Sequence, residues 1–407
     1  MPASFSAAYG ASNYIDLSER YVAYFARAEP DEAALAAFGA ASQKGESTEA
    51  KATEYLFDTG GNVLDVLNLS WAFGGIPAES TAPYRNNEGK LKDEPSTDFG
   101  AAAYWDSSGV WSLAAALQSD ATQRVATFES VEVLPGPWHL TFDDRGAVVA
   151  GSDYDQVATD AIKRAIMENG AIAASYYADQ SRPGDSAEGA RYFSFETWSQ
   201  YVNKPMGTNH VVTIVGWDDT YAKENFAVGF ADAEQAAHTP PADGAWIVKN
   251  SWGDKKGDPA SGEAGDRPYT NWGVEGSGYF YLSYYDMSFQ SAESVTGAAS
   301  SATSTLVQQH DVAGIAGVFV FPVVSTDELQ VANVFTAEED MRIESVTTYS
   351  GLPESDVDVS IYLLPDGECD PDEGALVAEQ SESYVYPGAY VIDMEDPVPV
   401  SYTHLTL

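Results

Sequence analysis

Cysteine is almost missing from this chain: one residue, Cys369, among 407. No intrachain disulfide can form, and no pair of thiols is available to hold zinc. Histidine is scarce as well. His139, His210, His238, His310 and His404 are scattered, with no HExxH spacing, so no metal or other cofactor is expected. Basic residues number 20 against 62 acidic ones, for a formal charge of -42. Such a surface repels nucleic acid and anionic lipid and keeps a protein soluble. No apolar run reaches the ~18 residues of a transmembrane helix. The opening MPASFSAAYGASNYI lacks the basic start and long apolar core of a secretory leader. A Gly-rich phosphate loop is absent. The acidic run Asp366–Glu373 lacks the glycine spacing and terminal glutamate of a calcium loop, and is expected to be a solvated hairpin tip.

What is present suffices for large cores: 44% hydrophobic and 12% aromatic residues. At roughly 100–200 residues per domain the length predicts two or three domains. A helix is expected over Glu19–Ala26, capped by Asp16 or Ser18, and another over Asp31–Ala41. Gly60-Gly61-Asn62 opens a further helix carrying Val63, Leu64, Val66, Leu67 and Trp71 on one face, with Gly74-Gly75 as its stop. Val157–Asn169 is amphipathic: Ala158, Ile162 and Ile166 recur every four residues, and Gly170 follows. Strands are then expected at Ala171–Tyr177, His210–Trp217, Ala245–Lys249 and Gly278–Tyr285. Helices before strands argue an α+β architecture with two lobes. Small polar residues over 291–306 predict a linker. Alternating runs at Gly317–Phe321, Ala332–Thr336, Arg342–Tyr349, Val357–Leu364 and Tyr390–Met394 then predict an antiparallel β-sandwich over 307–399. The end, VSYTHL from Val400, matches the translation of a sequencing adapter, and 400–407 is taken as read-through.

Two segments carry chemistry. NHVVTIVGWDD, from Asn209, puts His210 at the mouth of an apolar strand. GAWIVKNSWG, from Gly244, puts Asn250 at the end of another, with Trp252 two residues on. A thiol hydrolase needs an imidazole to generate its thiolate and a side-chain amide to orient the imidazole. An indole beside that contact keeps water from competing for it. His210, Asn250 and Trp252 are the right residue types for these three roles. A core histidine and a turn asparagine would explain either segment alone, but not both in this order.

The chain resembles the papain-like cysteine proteases over Tyr14–Tyr285. Asn209-His210 and Gly216-Trp217 resemble the family's histidine segment, and Asn250-Ser251-Trp252-Gly253 its asparagine segment. Gly278-Tyr279-Phe280 resembles the closing strand, Leu17-Ser18-Glu19 the LSE motif, Thr59-Gly60-Gly61 the substrate-pairing loop, and Glu79–Tyr84 the E-x-x-x-PY turn. The β-rich tail, with ANVFTA at Ala332–Ala337, is similar to a bacterial branch bearing a lectin-like domain. The resemblance implies a two-lobe peptidase domain over 1–290 and a secreted or cell-surface location. It implies a peptide or protein substrate, with a cell-wall or glycan partner for the tail. It also implies catalytic roles for His210 and Asn250, support from Trp252, and substrate contacts at Gly60, Gly61 and Asn209.

The family's nucleophilic cysteine has no counterpart here. Pro2 and Ala3 stand where Cys and Trp would, ahead of Phe5-Ser6-Ala7, and no Gln precedes them. Three explanations stay open: a truncated fragment of an active cysteine endopeptidase, an inactive homologue that binds peptides or cell-wall components, or a serine (Ser4 or Ser6) in place of the thiol. Cys369 follows His210 and Asn250 in the chain, in the acidic loop DGECDPDEG, and is not a candidate. The fragment reading is preferred, and with it a chain that is inactive as it stands. The polar insertion between Gly253 and Trp272 is expected to form a surface loop.

Overall fold

A computed structural model describes residues 16–26, 61–83, 113, 116–142, 148–179, 192–251, 272–297, 308, 331–337, 340–365, 367–400 and 404–406. The expected helix at Asp31–Ala41, the strand at Gly317–Phe321 and the insertion after Gly253 lie outside these residues. The chain divides into two compact units. One holds the described residues of 133–296. The other holds those of 16–132 together with those from 297 onward.

In the second unit, helix α1 (Glu19–Phe25) starts at Ser18, whose hydroxyl accepts from the Tyr21 N–H at 3.0 Å and donates to the Ala82 carbonyl at 2.6 Å. Ser18 therefore caps the helix and ties it to a turn 64 residues away. Helix α2 (Val63–Ala72) opens with a reciprocal capping box between Asn62 and Asp65, both bonds 3.0 Å. It is buried on nearly every side from Leu67 to Ala72, a wider buried surface than the single apolar face read from its sequence. Strand β1 (Ile76–Pro77) pairs with β2 (Arg124–Ala126), and β3 (Ser130–Leu134) follows. Arg124 lies buried between the end of α2 and a single helical turn at Ala116–Ser119. Its Nε donates to the Phe73 carbonyl at 3.1 Å, and its Nη2 to the carbonyls of Leu117 and Gln118, both at 2.8 Å. The guanidinium also sits 4.8 Å from the Tyr21 ring centroid. Carbonyls at helix C-termini carry partial negative charge, which offsets the cost of burying this cation.

The other unit is built on helix α3 (Gln156–Asn169) and seven successively paired strands, next to a hairpin of β4 (Trp138–Phe142) and β5 (Val148–Tyr154). Asp155 caps α3 by accepting from the N–H groups of Val157 and Ala158. Ala158, Ala161, Ile162, Ala165 and Ile166 are its buried face, as their spacing predicts. The sheet strands are β6 (Ile172–Tyr176), β7 (Phe193–Ser194), β8 (Ser199–Gln200), β9 (His210–Asp218), β10 (Ala245–Lys249), β11 (Tyr279–Ser283) and β12 (Ser291–Thr296), ordered β12-β6-β9-β10-β11-β8-β7. All neighbours are antiparallel except β11 and β8. β12 occupies what the sequence suggested as the start of a linker. Its Ala292 and Ser294 are fully buried, and Asn169 Nδ2 donates to Ser294 Oγ at 3.0 Å. Small residues here serve close packing, not flexibility.

The C-terminal strands return to the second unit: β13 (Val334–Thr336), β14 (Met341–Ser350), β15 (Ser355–Leu364), β16 (Ala375–Tyr384), β17 (Gly388–Val400) and β18 (His404–Thr406). One sheet runs β13-β18-β15-β16, and β17 joins β14 to β3 in another. Val359 and Ile361 of the first face Ile392, Met394, Val398 and Val400 of the second across one apolar core, the arrangement of a sandwich. β18 pairs with both β13 and β15, so residues beyond Val400 take part in the first sheet. Within this unit the Tyr349 hydroxyl on β14 donates to Asn68 Oδ1 on α2, and the Trp71 and Tyr349 rings meet edge-on at 6.1 Å.

Replacing Arg124 by Met is expected to lower the unfolding free energy by about 3 kcal/mol, since three buried or half-buried carbonyls lose a shared donor at about 1 kcal/mol or more each. Urea unfolding checks this; a change under about 0.5 kcal/mol, the range of ordinary surface substitutions, would contradict it.

Candidate active site

Antiparallel pairing builds the site. β9 begins at His210 and β10 ends at Lys249, with Thr213 opposite Lys249 and Ile214 opposite Val248. The start of one strand and the end of its neighbour therefore share an edge of the sheet. His210 Nε2 meets Asn250 Oδ1 at 2.9 Å across a sequence separation of 40. An amide oxygen only accepts, so Nε2 carries the proton and the neutral ring's lone pair is on Nδ1. Burial pushes the His210 pKa below its ordinary 6.5, and the bond to Asn250 partly opposes that shift.

Asn250 is held at several points. It is 2% exposed, its Oδ1 also accepts from the Ser251 N–H at 2.7 Å, and its own N–H donates to the Gly278 carbonyl at 2.9 Å. Gly278 has a φ of 78° and donates its N–H to the Trp272 carbonyl at 2.9 Å. A side chain at this position would strain that turn. Asn250 Nδ2 is buried with no partner among the described residues. Trp252, expected to shield the amide, lies outside them.

The floor beneath the pair is aromatic. Tyr176, opposite His210 in the β6–β9 register, has its ring centroid 6.1 Å from the imidazole and stacks on Phe280 at 5.8 Å. Phe280 in turn meets Trp272 edge-on at 5.4 Å. Tyr176 and Phe280 exclude solvent from this side, and burial holds the Tyr176 hydroxyl well above its ordinary pKa.

The other site residues read from the sequence fall as follows. Asn209 adjoins His210, but its amide is engaged with the backbone. Oδ1 accepts from the Ala178 N–H at 2.7 Å and Nδ2 donates to the Ala178 carbonyl at 3.1 Å. This is a backbone-holding role that the sequence did not suggest. Gly61 is exposed, immediately ahead of the α2 cap, in the unit that does not carry His210. Gly60 lies outside the described residues. Gln200, Asp286 and Ser288, which hold the strand end beside His210, went unnoticed. Apart from the Asp286–Ser288 contact, their partners lie 21 to 111 residues away, so no local pattern marks their role.

The model of the papain family cysteine protease domain matches residues 58–262, and that of the lectin-like domain matches 307–404. Two solved structures share the fold. One is the clostridial cysteine protease Cwp84 after propeptide cleavage: 16% identity, TM-score 0.54, covering 98% of this chain and 74% of that one. The other comprises the cysteine protease and lectin-like domains of Cwp84, a surface layer associated protein of Clostridium difficile: 17% identity, TM-score 0.52, covering 99% and 67%. A comparison with the curated proteins gives no match. The fold is α+β and papain-like, followed by a lectin-like β domain. Since the first match spans just over half of the 407 residues, the chain belongs to the papain family of cysteine proteases.

Proposed function

We propose that this is the histidine–asparagine part of a cysteine endopeptidase. The observation that carries the reading is the 2.9 Å bond from His210 Nε2 to Asn250 Oδ1. It fixes the tautomer that presents Nδ1 as the base. In the reaction, a thiolate attacks the peptide carbonyl, His210 having taken the thiol's proton. His210 then returns a proton to the departing amine, and Asn250 holds the ring through both steps. A neutral imidazole is the form such a base needs. An adjacent thiolate would raise its pKa and stabilise the ion pair.

The 407 residues do not by themselves complete this chemistry. Cys369 is exposed and belongs to the unit without His210 and Asn250. The chain alone is therefore inactive in this reading, and cleavage needs a nucleophilic cysteine brought to His210. Peptide would be the substrate. The lectin-like domain would engage glycan or cell-wall material, at a secreted or cell-surface location like that of the surface-layer protein Cwp84.

Purified chain, assayed on fluorogenic peptides under reducing conditions, is expected to show no turnover sensitive to thiol alkylation. Alkylation-sensitive turnover that disappears in His210→Ala would contradict this. A form bearing a cysteine-containing N-terminal extension is expected to cleave, with His210→Ala lowering kcat by about 10²–10⁴-fold. If the extended form binds peptide without cleaving it, the peptide-binding homologue is the better reading.

The depressed pKa of His210 also has a stability consequence. Its unfolded value, about 6.5, lies above its folded one, so its contribution is complete above pH 6.5 and is lost as pH falls through and below that value. His210→Gln is expected to flatten this part of the stability curve, measured by urea titration from about pH 7.5 to about pH 5.5. Parallel curves for the two proteins would show that His210 titrates normally.

A further inference from the structure

The segment that carries His210's strand partner has its backbone held almost wholly by side chains. The Tyr176 carbonyl accepts from the Asn209 N–H at 3.1 Å. The Tyr177 N–H donates to Ser288 Oγ at 3.1 Å, and the Tyr177 carbonyl accepts from Gln200 Nε2 at 2.7 Å. Both polar groups of Ala178 go to the Asn209 amide. The Asp179 N–H donates to Gln200 Oε1 at 3.1 Å. Three side chains, from Asn209, Gln200 and Ser288, thus fix the three residues Tyr177–Asp179, next to a Tyr176 carbonyl held by the Asn209 backbone.

Asp286 orients two of those three. It is fully buried, with 0% exposure. Oδ1 accepts from the Ser288 N–H at 2.9 Å and from the Ser288 hydroxyl. Oδ2 accepts from the Val202 N–H at 2.8 Å, with Gln200 Nε2 at 3.5 Å. Because the Ser288 hydroxyl spends its proton on Asp286, its lone pair is turned to the Tyr177 N–H. Burial pushes the Asp286 carboxyl up to about 6, while its bonds to Ser288, Val202 and Gln200 pull the other way. Tyr176, Tyr201 and Asp179 lie close enough to interact electrostatically with this network. A charge buried at that cost, with two of its three donor residues serving one strand end, is more than packing requires.

We propose that Asp286 is a positioning residue for the His210–Asn250 pair, acting through Ser288 and Gln200 on the Tyr176–Asp179 segment that holds Asn209 and His210. The proposal rests on the reading of His210 as the base, but its test does not need peptidase activity. The readout is the His210 Nε2 proton resonance in the folded 407-residue chain, which reports the bond to Asn250. Asp286→Asn is expected to speed solvent exchange of that proton by about tenfold, the worth of one hydrogen bond. Ser288→Ala is expected to do the same, and Ser288→Thr to restore the original rate. Ile166→Ala, in the buried face of α3, is the control. It should lower the melting temperature while leaving the His210 proton unchanged.

Faster exchange in Asp286→Asn and Ser288→Ala, but not in Ile166→Ala, supports the proposal. Unchanged exchange in the folded Asp286 variant, or equal change in all three variants, overturns it and leaves Asp286 a structural residue. Should Asp286→Asn fail to fold, Ser288→Ala and its threonine rescue decide the matter alone. Failure of the extended chain to cleave peptide would refute the peptidase reading and leave this resonance measurement unaffected.

Discussion

The antiparallel pairing of β9 with β10 is the constraint on which the rest depends. It brings two residues 40 apart in sequence to one edge of a sheet, at hydrogen-bonding distance. Everything around it limits the freedom of that contact. Gly278 allows the turn that receives the Asn250 N–H, Tyr176 and Phe280 make the floor, and Asn209 ties the histidine to the neighbouring strand. An exposed imidazole–amide bond would contribute little, because water competes for both groups. With the amide at 2% exposure, the competition is weak and the ring keeps one tautomer.

The polar interior shows how this order is maintained. Asp286, Gln200 and Ser288 are buried, and each has hydrogen-bond partners in the same network. Replacing such a network by apolar residues of equal volume could preserve stability. It could not give the Tyr177 and Asp179 backbone groups the same directional partners. In the other unit, Arg124 does comparable work by gathering three carbonyls at helix ends. In both places a buried charged side chain fixes backbone that regular secondary structure leaves unpaired.

Much of this was legible in the sequence. The strand at Ala245–Lys249 and the α3 helix appear within one residue of their expected bounds, because glycines and an Asp cap mark their ends and apolar spacing marks their faces. The His210 and Asn250 segments were legible for the same reason, each being an apolar strand with a polar residue at its end. β16 was not, because ALVAEQSESY is largely exposed and takes its register only from β15. The β4–β5 hairpin was missed behind Pro135-Gly136-Pro137, and β12 was hidden by its small polar residues. The Asp286 network was beyond reach, since Asp286 and Gln200 are 86 residues apart and meet only after the sheet forms.

The central claim is that Asn250 holds His210 as a neutral base with its proton on Nε2. The nitrogen-15 spectrum of His210 as a function of pH tests it most directly. The predicted result is a neutral ring protonated at Nε2, titrating below 6.5. A ring protonated mainly at Nδ1, or one titrating at or above 6.5, would contradict the account.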